Sequence, residues 1–244
     1  MQLLAPDDSV YQREIKEMKL WLLQSKRTQV WDTPINTVDA VYAFMKDKMQ
    51  VLDKDEENAS LVLDGKTMEL PKATAGLGYV KVAREGTAKH LVIDKKGDKT
   101  SWGAVYAQYT LPASEVASVE SGIRVVRKVE NMDSLAMGDR VKVTLVITAD
   151  RDYDFVQVVD KRAACLEPVN QLSGYQWGMG CYVAPTDHAT KYYFDRLSKG
   201  KHVVETVYYV DRKGNYQSGS CSAQCAYSPE FGGRAEAYSI SIDK

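Results

Sequence analysis

Tyr11, Ile15, Met18 and Leu22 recur every three to four residues, and Trp21 and Leu23 widen the stripe. That period belongs to one face of an amphipathic helix. Residues 7–50 therefore read as helical. Asp7, Asp8 and Ser9 can accept hydrogen bonds from the free N–H groups of the first turn, and the polar run SKRTQ ends the helix. Pro34 cannot continue it, so a second helix is expected beyond, capped by Asn36 or Thr37, with Val38, Val41, Tyr42 and Met45 on its apolar face. Two such helices cannot bury enough surface to stand alone. They either end a larger helical array or pack on the β-rich region C-terminal to them.

After the charged stretch LDKDEENAS, 52–60, the period shortens to two. SLVLDGKTMEL carries Asp64-Gly65, a turn pair between short strands, and Lys96-Gly97-Asp98 separates two more, for four to six strands over 60–111. Pro112 and Ala113-Ser-Glu mark a second boundary. Beyond it Val141, Val143, Leu145 and Ile147 alternate with Lys142, Thr144, Val146 and Thr148, HVVETVYYV turns at Arg212-Lys213-Gly214-Asn215, and Tyr238, Ile240 and Ile242 alternate with serines. One apolar face per strand predicts an antiparallel β-sandwich with a paired last strand. The fold class is mainly β: two antiparallel sandwich units behind two helices, divided as 1–51, 52–115 and 116–244.

Composition narrows the function. The 244 residues carry Lys+Arg 32 against Asp+Glu 33, net charge −1, which leaves no basic field for nucleic acid. No apolar run reaches membrane-spanning length. MQLLAPDDS lacks the regions of a signal peptide, which fits a cytoplasmic protein or a piece of a longer chain. Cys165, Cys181, Cys221 and Cys225 all lie in the last third, and their even number suggests two disulfides and an oxidising compartment, with four buried thiols as the alternative. Their spacing, with only His90, His188 and His202 as further ligands, does not build a zinc site, and no metal or cofactor is expected.

Reactive constellations are scarce. KRAACLEPVN, 161–170, is a near-miss: a cysteine with glutamine three residues on can close an internal thioester, but Pro168 has no carboxamide with which to acylate Cys165. Asp187-His188 lacks a third partner, and Ser173-Gly174-Tyr175 lacks the strand–turn–helix frame of a nucleophile elbow. Asp150, Asp152 and Asp154 read as a solvated turn, having neither the glycine nor the distal glutamate of a calcium loop. The chain is not expected to be an enzyme. Aromatics are the more telling feature: in Tyr192-Tyr193-Phe194, Tyr208-Tyr209 and Tyr175 with Trp177, neighbours point to opposite faces, so half lie outside the core. Such rings suit an interdomain contact or a carbohydrate platform equally.

Four segments in order carry a resemblance: TQVWDTPINTVDAVYAFM (28–45), MGDRVKVTLVITADRDYDFVQVVDKRAACLEPVNQLSGYQW (137–177), YYFDRLSKGKHVVETVYYVDRKGNYQSG (192–219) and QCAYSPEFGGR (224–234). Together they are similar to the C-terminal end of bacterial alpha-2-macroglobulins. That family traps proteases: a peptidase cuts a bait segment, the molecule rearranges, and a thioester in an α/α-toroid domain captures the attacker.

The resemblance implies that residues 1–51 are the last helices of the thioester domain. Residues 52–115 would be the returning half of a CUB-like β domain, and 116–244 the terminal macroglobulin-like sandwich. It implies a non-catalytic part of an endopeptidase inhibitor, in the periplasm or cell envelope of a bacterium, whose partners are target proteases and the upstream domains of the same chain. It places the reactive Cys-Leu-Glu-Gln upstream of this chain, leaving Leu-Glu-Pro as a structural segment. The favoured bridges are Cys165–Cys225 and Cys181–Cys221, other pairings staying open. A Met-Tyr pair shields the thioester in the family; here the matching residues are Ala226 and Tyr227, so the seal is smaller or differently built, or the parent has no thioester. Tyr227 could equally be a buried strand-end residue. The competing reading is a surface carbohydrate- or protein-binding module.

Overall fold

The computed structural model describes residues 11–45, 59–69, 81–95, 105–130, 132 and 134–243. The chain divides into two compact units, Met1–Gln12 with Val38–Gln108, and Arg13–Thr37 with Tyr109–Lys244.

Helix α1 spans Gln12–Thr28 and α2 Pro34–Met45. The expected Asp7–Ser9 cap lies outside the described residues. The second cap differs from the sequence reading: Asn36 N–H donates to Thr33 Oγ1 at 3.1 Å, so Thr33 is the cap and Pro34 the first helical residue. Proline fits there because its missing N–H would have had no helical acceptor. On α1 Ile15 is buried, but Trp21, assigned to the same stripe, is 66% exposed.

In the smaller unit β1 (Ser60–Leu63), β2 (Lys66–Thr67) and β3 (Leu91–Asp94) form an antiparallel sheet ordered β2-β1-β3. Asp64 and Gly65 make its turn with φ of +47° and +79°. The Asp64 carboxylate also accepts N–H groups of Lys89 and His90 at 3.1 and 2.9 Å. The Lys96-Gly97-Asp98 turn lies outside the described residues, and 105–111 carry no strand. Three of the expected four to six strands are thus described.

The larger unit is one ladder of eleven strands. Along the chain they are β4 (Val119–Ser121), β5 (Ile123–Val129), β6 (Arg140–Ala149), β7 (Tyr153–Lys161), β8 (Leu166–Pro168), β9 (Gly174–Gln176), β10 (Cys181–Pro185), β11 (Ala189–Leu197), β12 (Gly200–Val210), β14 (Cys221–Cys225) and β15 (Gly232–Ala235). Hydrogen bonding orders them β8-β12-β6-β5-β4-β15-β14-β7-β11-β10-β9. The ladder folds back on itself. Thr190 of β11 bonds Tyr208 of β12 at 2.8 Å through their hydroxyls, and the Tyr192 hydroxyl meets that of Thr206, although these strands lie in opposite halves. The bend falls at β4 and β15, where glycine is required. A Cβ on Gly233 would collide with the Ile123 carbonyl and one on Gly122, at φ +74°, with the Tyr153 hydroxyl.

Between the halves lies one core, including Ile123, Val141, Val143, Leu145, Ile147, Val158, Tyr192, Leu197 and Tyr208, each at most 1% exposed. The alternation read in 141–148 is the alternation seen, except that Thr144 of the outer set is also buried. The segment after β12 does not fold back as a hairpin: β13 (Gly214–Gln217) pairs instead with β16 (Ser239–Ile242), burying Ile240 and Ile242. A charged joint pins the halves: Arg127 of β5 donates to Asp160 of β7 at 2.7 Å, their side chains 3% and 2% exposed.

Candidate functional site

Strand β14 ends in a loop closed by its own backbone. Cys225 N–H donates to Phe231 O at 3.0 Å, Phe231 N–H to Ser228 O at 2.9 Å, and Ala226 N–H to Phe155 O of β7 at 2.8 Å. Gln224 Nε2 braces it through Pro229 O at 3.1 Å. These bonds hold Tyr227 out from the sandwich, 76% exposed. The reading of Tyr227 as a buried strand-end residue is therefore overturned. Its ring meets Phe155 edge-on, centroids 5.2 Å apart at 87°. Phe155 has φ +58°, a left-handed conformation costly for a bulky residue. The strain turns Phe155 outward beside Tyr227, and Ala226 next to them is also exposed. An aromatic knob results, with the small Ala226 at its side.

Behind the knob the loop meets the end of α1. The last carbonyls of a helix have no partner within it; here the buried Ser228 hydroxyl donates to the Arg27 carbonyl. The Arg27 guanidinium pairs with Glu230 and lies 5.8 Å over the Phe231 ring. Two residues past the helix, Val30 N–H donates to Asp154 Oδ2 at 2.7 Å. Phe231 rests on Tyr153, which is fully buried and donates its hydroxyl to Asp150 at 2.6 Å; burial holds that phenol well above its usual pKa.

The three aspartates of the β6–β7 turn are thus all engaged within the protein. Asp150 also meets Arg151, whose hydrogen bond lowers its pKa. Asp152 accepts Lys199 N–H at 2.7 Å and Arg196 at 2.8 Å, and those bonds hold its carboxyl below the usual range. Among the described residues no group of His, Cys, Asp and Glu is arranged to hold a metal. Asp187 and His188 offer backbone carbonyls to Arg162. A surface groove of about 540 Å³ is lined by charges that already have partners: Arg124 with Glu120, Arg127 with Asp160, Arg234 with the Ala117 carbonyl, Glu236 with Ser118 N–H.

The cysteines correct the disulfide expectation. Cys165, Cys181, Cys221 and Cys225 are all buried free thiols, so neither Cys165–Cys225 nor Cys181–Cys221 forms. The register shows why for the second pair. Cys221 on β14 and Cys181 on β10 are separated by β7 and β11, three strand spacings or about 14 Å, while a bridge needs Cα atoms within about 7 Å. Cys225 Sγ–H donates instead to the Asp154 carbonyl at 3.3 Å. Burial pushes the Cys181 thiol up to about 11 and raises those of Cys165 and Cys221.

The family model for the bacterial alpha-2-macroglobulin MG10 domain matches residues 117–230. The sandwich is thus similar to that domain from just before β4 to the Tyr227 loop. Escherichia coli alpha-2-macroglobulin activated by porcine elastase aligns over 99% of this chain and 22% of its own, with 13% identity and TM-score 0.53. The trypsin-activated E. coli protein aligns over 91% and 16%, with 13% identity and TM-score 0.52. Salmonella alpha-2-macroglobulin reacted with methylamine aligns over 55% and 10%, with 20% identity and TM-score 0.48. This chain thus spans 10% to 22% of those chains. No curated protein sequence matches it. The aromatic knob is supported by residues the sequence reading did not single out, Phe155, Ser228, Glu230 and Arg27, and by Asp154, which it read as part of a solvated turn. Alternation in DYDFVQVV puts Phe155 on the face of the buried Tyr153, so its outward turn had no local signal.

Proposed function

We propose that this chain is a non-catalytic C-terminal piece of a bacterial alpha-2-macroglobulin-like protease trap, and that its MG10 domain holds and shields the thioester domain of the parent. The observation that carries the reading is the joint between the Tyr227 loop and the end of α1. In the proposed layout residues 1–51 close the thioester domain, 52–115 return the CUB-like β domain, and 116–244 form the terminal domain. A loop bonded to Arg27, beside a β7 whose Asp154 accepts from Val30, is then tied to the domain it is meant to cover. The exposed apolar residues of α2, Ile35, Val38, Val41 and Tyr42, suit a helix made to continue an array.

In this role the Tyr227 ring, backed by Phe155, excludes water from the reactive acyl group, and its hydroxyl supplies a hydrogen bond. Ala226 leaves that seal narrower than a methionine would. The partners are the upstream domains and, through them, target proteases; the place is the periplasm or cell envelope of a bacterium. Activation of the E. coli relative by trypsin and by elastase supports a parent that responds to proteases. Methylamine uptake by the full-length parent tests the reading. Tyr227→Ala should accelerate loss of the reactive group to water, while Tyr227→Phe should retain most of the protection. Equal decay in all three proteins would remove the shielding role.

A further inference from the structure

A second aromatic feature lies on the outer face of the sandwich and takes no part in the knob. The register sets Tyr175 of β9 opposite Tyr182 of β10, Tyr182 opposite Tyr193 of β11, Tyr193 opposite Gln157 of β7, and Gln157 opposite Gln224 of β14. Five side chains thus stand in single file across five neighbouring strands, a row of roughly 19 Å at about 4.8 Å per strand. The tyrosines are 44%, 43% and 38% exposed, so each is partly open to solvent. They are held in place: Tyr182 and Tyr193 lie 6.5 Å apart, and Trp177, 87% exposed, meets Tyr175 edge-on at 4.7 Å. No residue of the row is charged. Lys191 and Asp195 stand two positions away along β11, one on each side.

We infer that this row is a binding platform for an uncharged polysaccharide strand. The tyrosine rings offer flat apolar faces to the C–H faces of sugar rings. Their hydroxyls, with the Gln157 amide and the free amide oxygen of Gln224, offer hydrogen bonds to sugar hydroxyls. A linear ligand suits a row one residue wide. The area argues against a protein partner: at about 200–250 Å² per whole aromatic side chain, the four rings expose on the order of 450 Å². A standard protein interface covers roughly 800 Å² per partner. A single-stranded nucleic acid would need a cationic groove beside the rings, and this row has none.

The test is isothermal titration of the 244-residue chain with two neutral probes, the hexasaccharides of β-1,4-linked glucose and of β-1,4-linked N-acetylglucosamine. At least one should bind and quench Trp177 fluorescence. Tyr182→Ala with Tyr193→Ala should weaken that binding about tenfold or more, equivalent to about 1.4 kcal/mol. Tyr182→Phe with Tyr193→Phe, which lose only the hydroxyl hydrogen bonds, should weaken it less than the alanine pair, and Tyr227→Ala should leave it unchanged, which separates this platform from the shielding knob. Failure of both probes to bind at millimolar concentration, or binding indifferent to the alanine pair, overturns the inference. So does sedimentation showing a dimer that the alanine pair dissociates, since the face would then be filled by a second copy.

Discussion

Replacing Arg127 by methionine asks what the joint between the halves contributes. The guanidinium donates to Asp160 at 2.7 Å, the Gly219 carbonyl at 2.9 Å, the Ser218 hydroxyl at 3.1 Å and the Glu236 carbonyl. With both charged side chains at most 3% exposed, water cannot replace the lost partner. Removing one member of a buried pair costs about 3–5 kcal/mol, because the other charge stays buried and uncompensated. At about 2–4 °C per kcal/mol for a unit of this size, the melting temperature should fall by roughly 6–20 °C. The deficit should also depend on pH. Burial raises the Asp160 pKa and Arg127 opposes that rise. Without Arg127 the folded state holds the proton more tightly still. A raised folded pKa favours the folded state below the unfolded value of 3.8 and loses that benefit as pH climbs through the folded one. The Arg127→Met deficit should therefore shrink as pH falls from 7 toward 4. Urea unfolding followed by tryptophan fluorescence measures both effects. Adding Asp160→Leu removes the orphaned charge and should restore most of the loss at pH 7. A single variant within about 1 kcal/mol of wild type, or a double variant no better than the single, would refute the reasoning.

Gly122→Ala puts a methyl group into the Tyr153 hydroxyl at a left-handed backbone position and should cost about 2–4 kcal/mol; adding Tyr153→Phe should recover part of it, read by the same unfolding curves. Asp152 has its pKa lowered by Lys199 N–H and Arg196, so what it adds to stability is present above the unfolded value of 3.8 and disappears as pH falls below it. Asp152→Asn should accordingly flatten the acid limb of a stability–pH profile, and an unchanged limb would show the bonds to be idle. Thiol titration without reductant should find four reactive groups after denaturation and slow labelling in the native state; fewer than four would restore a bridge.

Much of the sandwich could be read from period alone, because Val141 to Ile147 alternate and each inward residue meets the core. The same alternation put one of Tyr192 and Tyr193 outside, and the structure exposes Tyr193. Pairing was less legible. The turn at Arg212–Asn215 looked like a hairpin, yet β13 finds its partner in β16, about 25 residues on, and nothing local encodes a choice made by the core. The aromatic knob was half visible. Tyr227 came from resemblance, but the φ of Phe155 and the buried Ser228 hydroxyl arise only when β7, β14 and the end of α1 meet. The cysteines misled because even number and clustering are properties of the string, and the bridging distance is a property of the sheet.

Pro168, conspicuous for the carboxamide it lacks, closes one end of the eleven-strand ladder opposite Tyr208. The bond from Val169 N–H to the Val207 carbonyl fixes the alternation, so the position of Pro168 is one whose N–H would point away from β12. Proline presents none there, and both terminal strands of the ladder are three residues long. A passing extended peptide finds little to zip onto. The residue that rules out a warhead at Cys165 also works as a doorstop, keeping neighbouring copies from growing the sheet into a fibre.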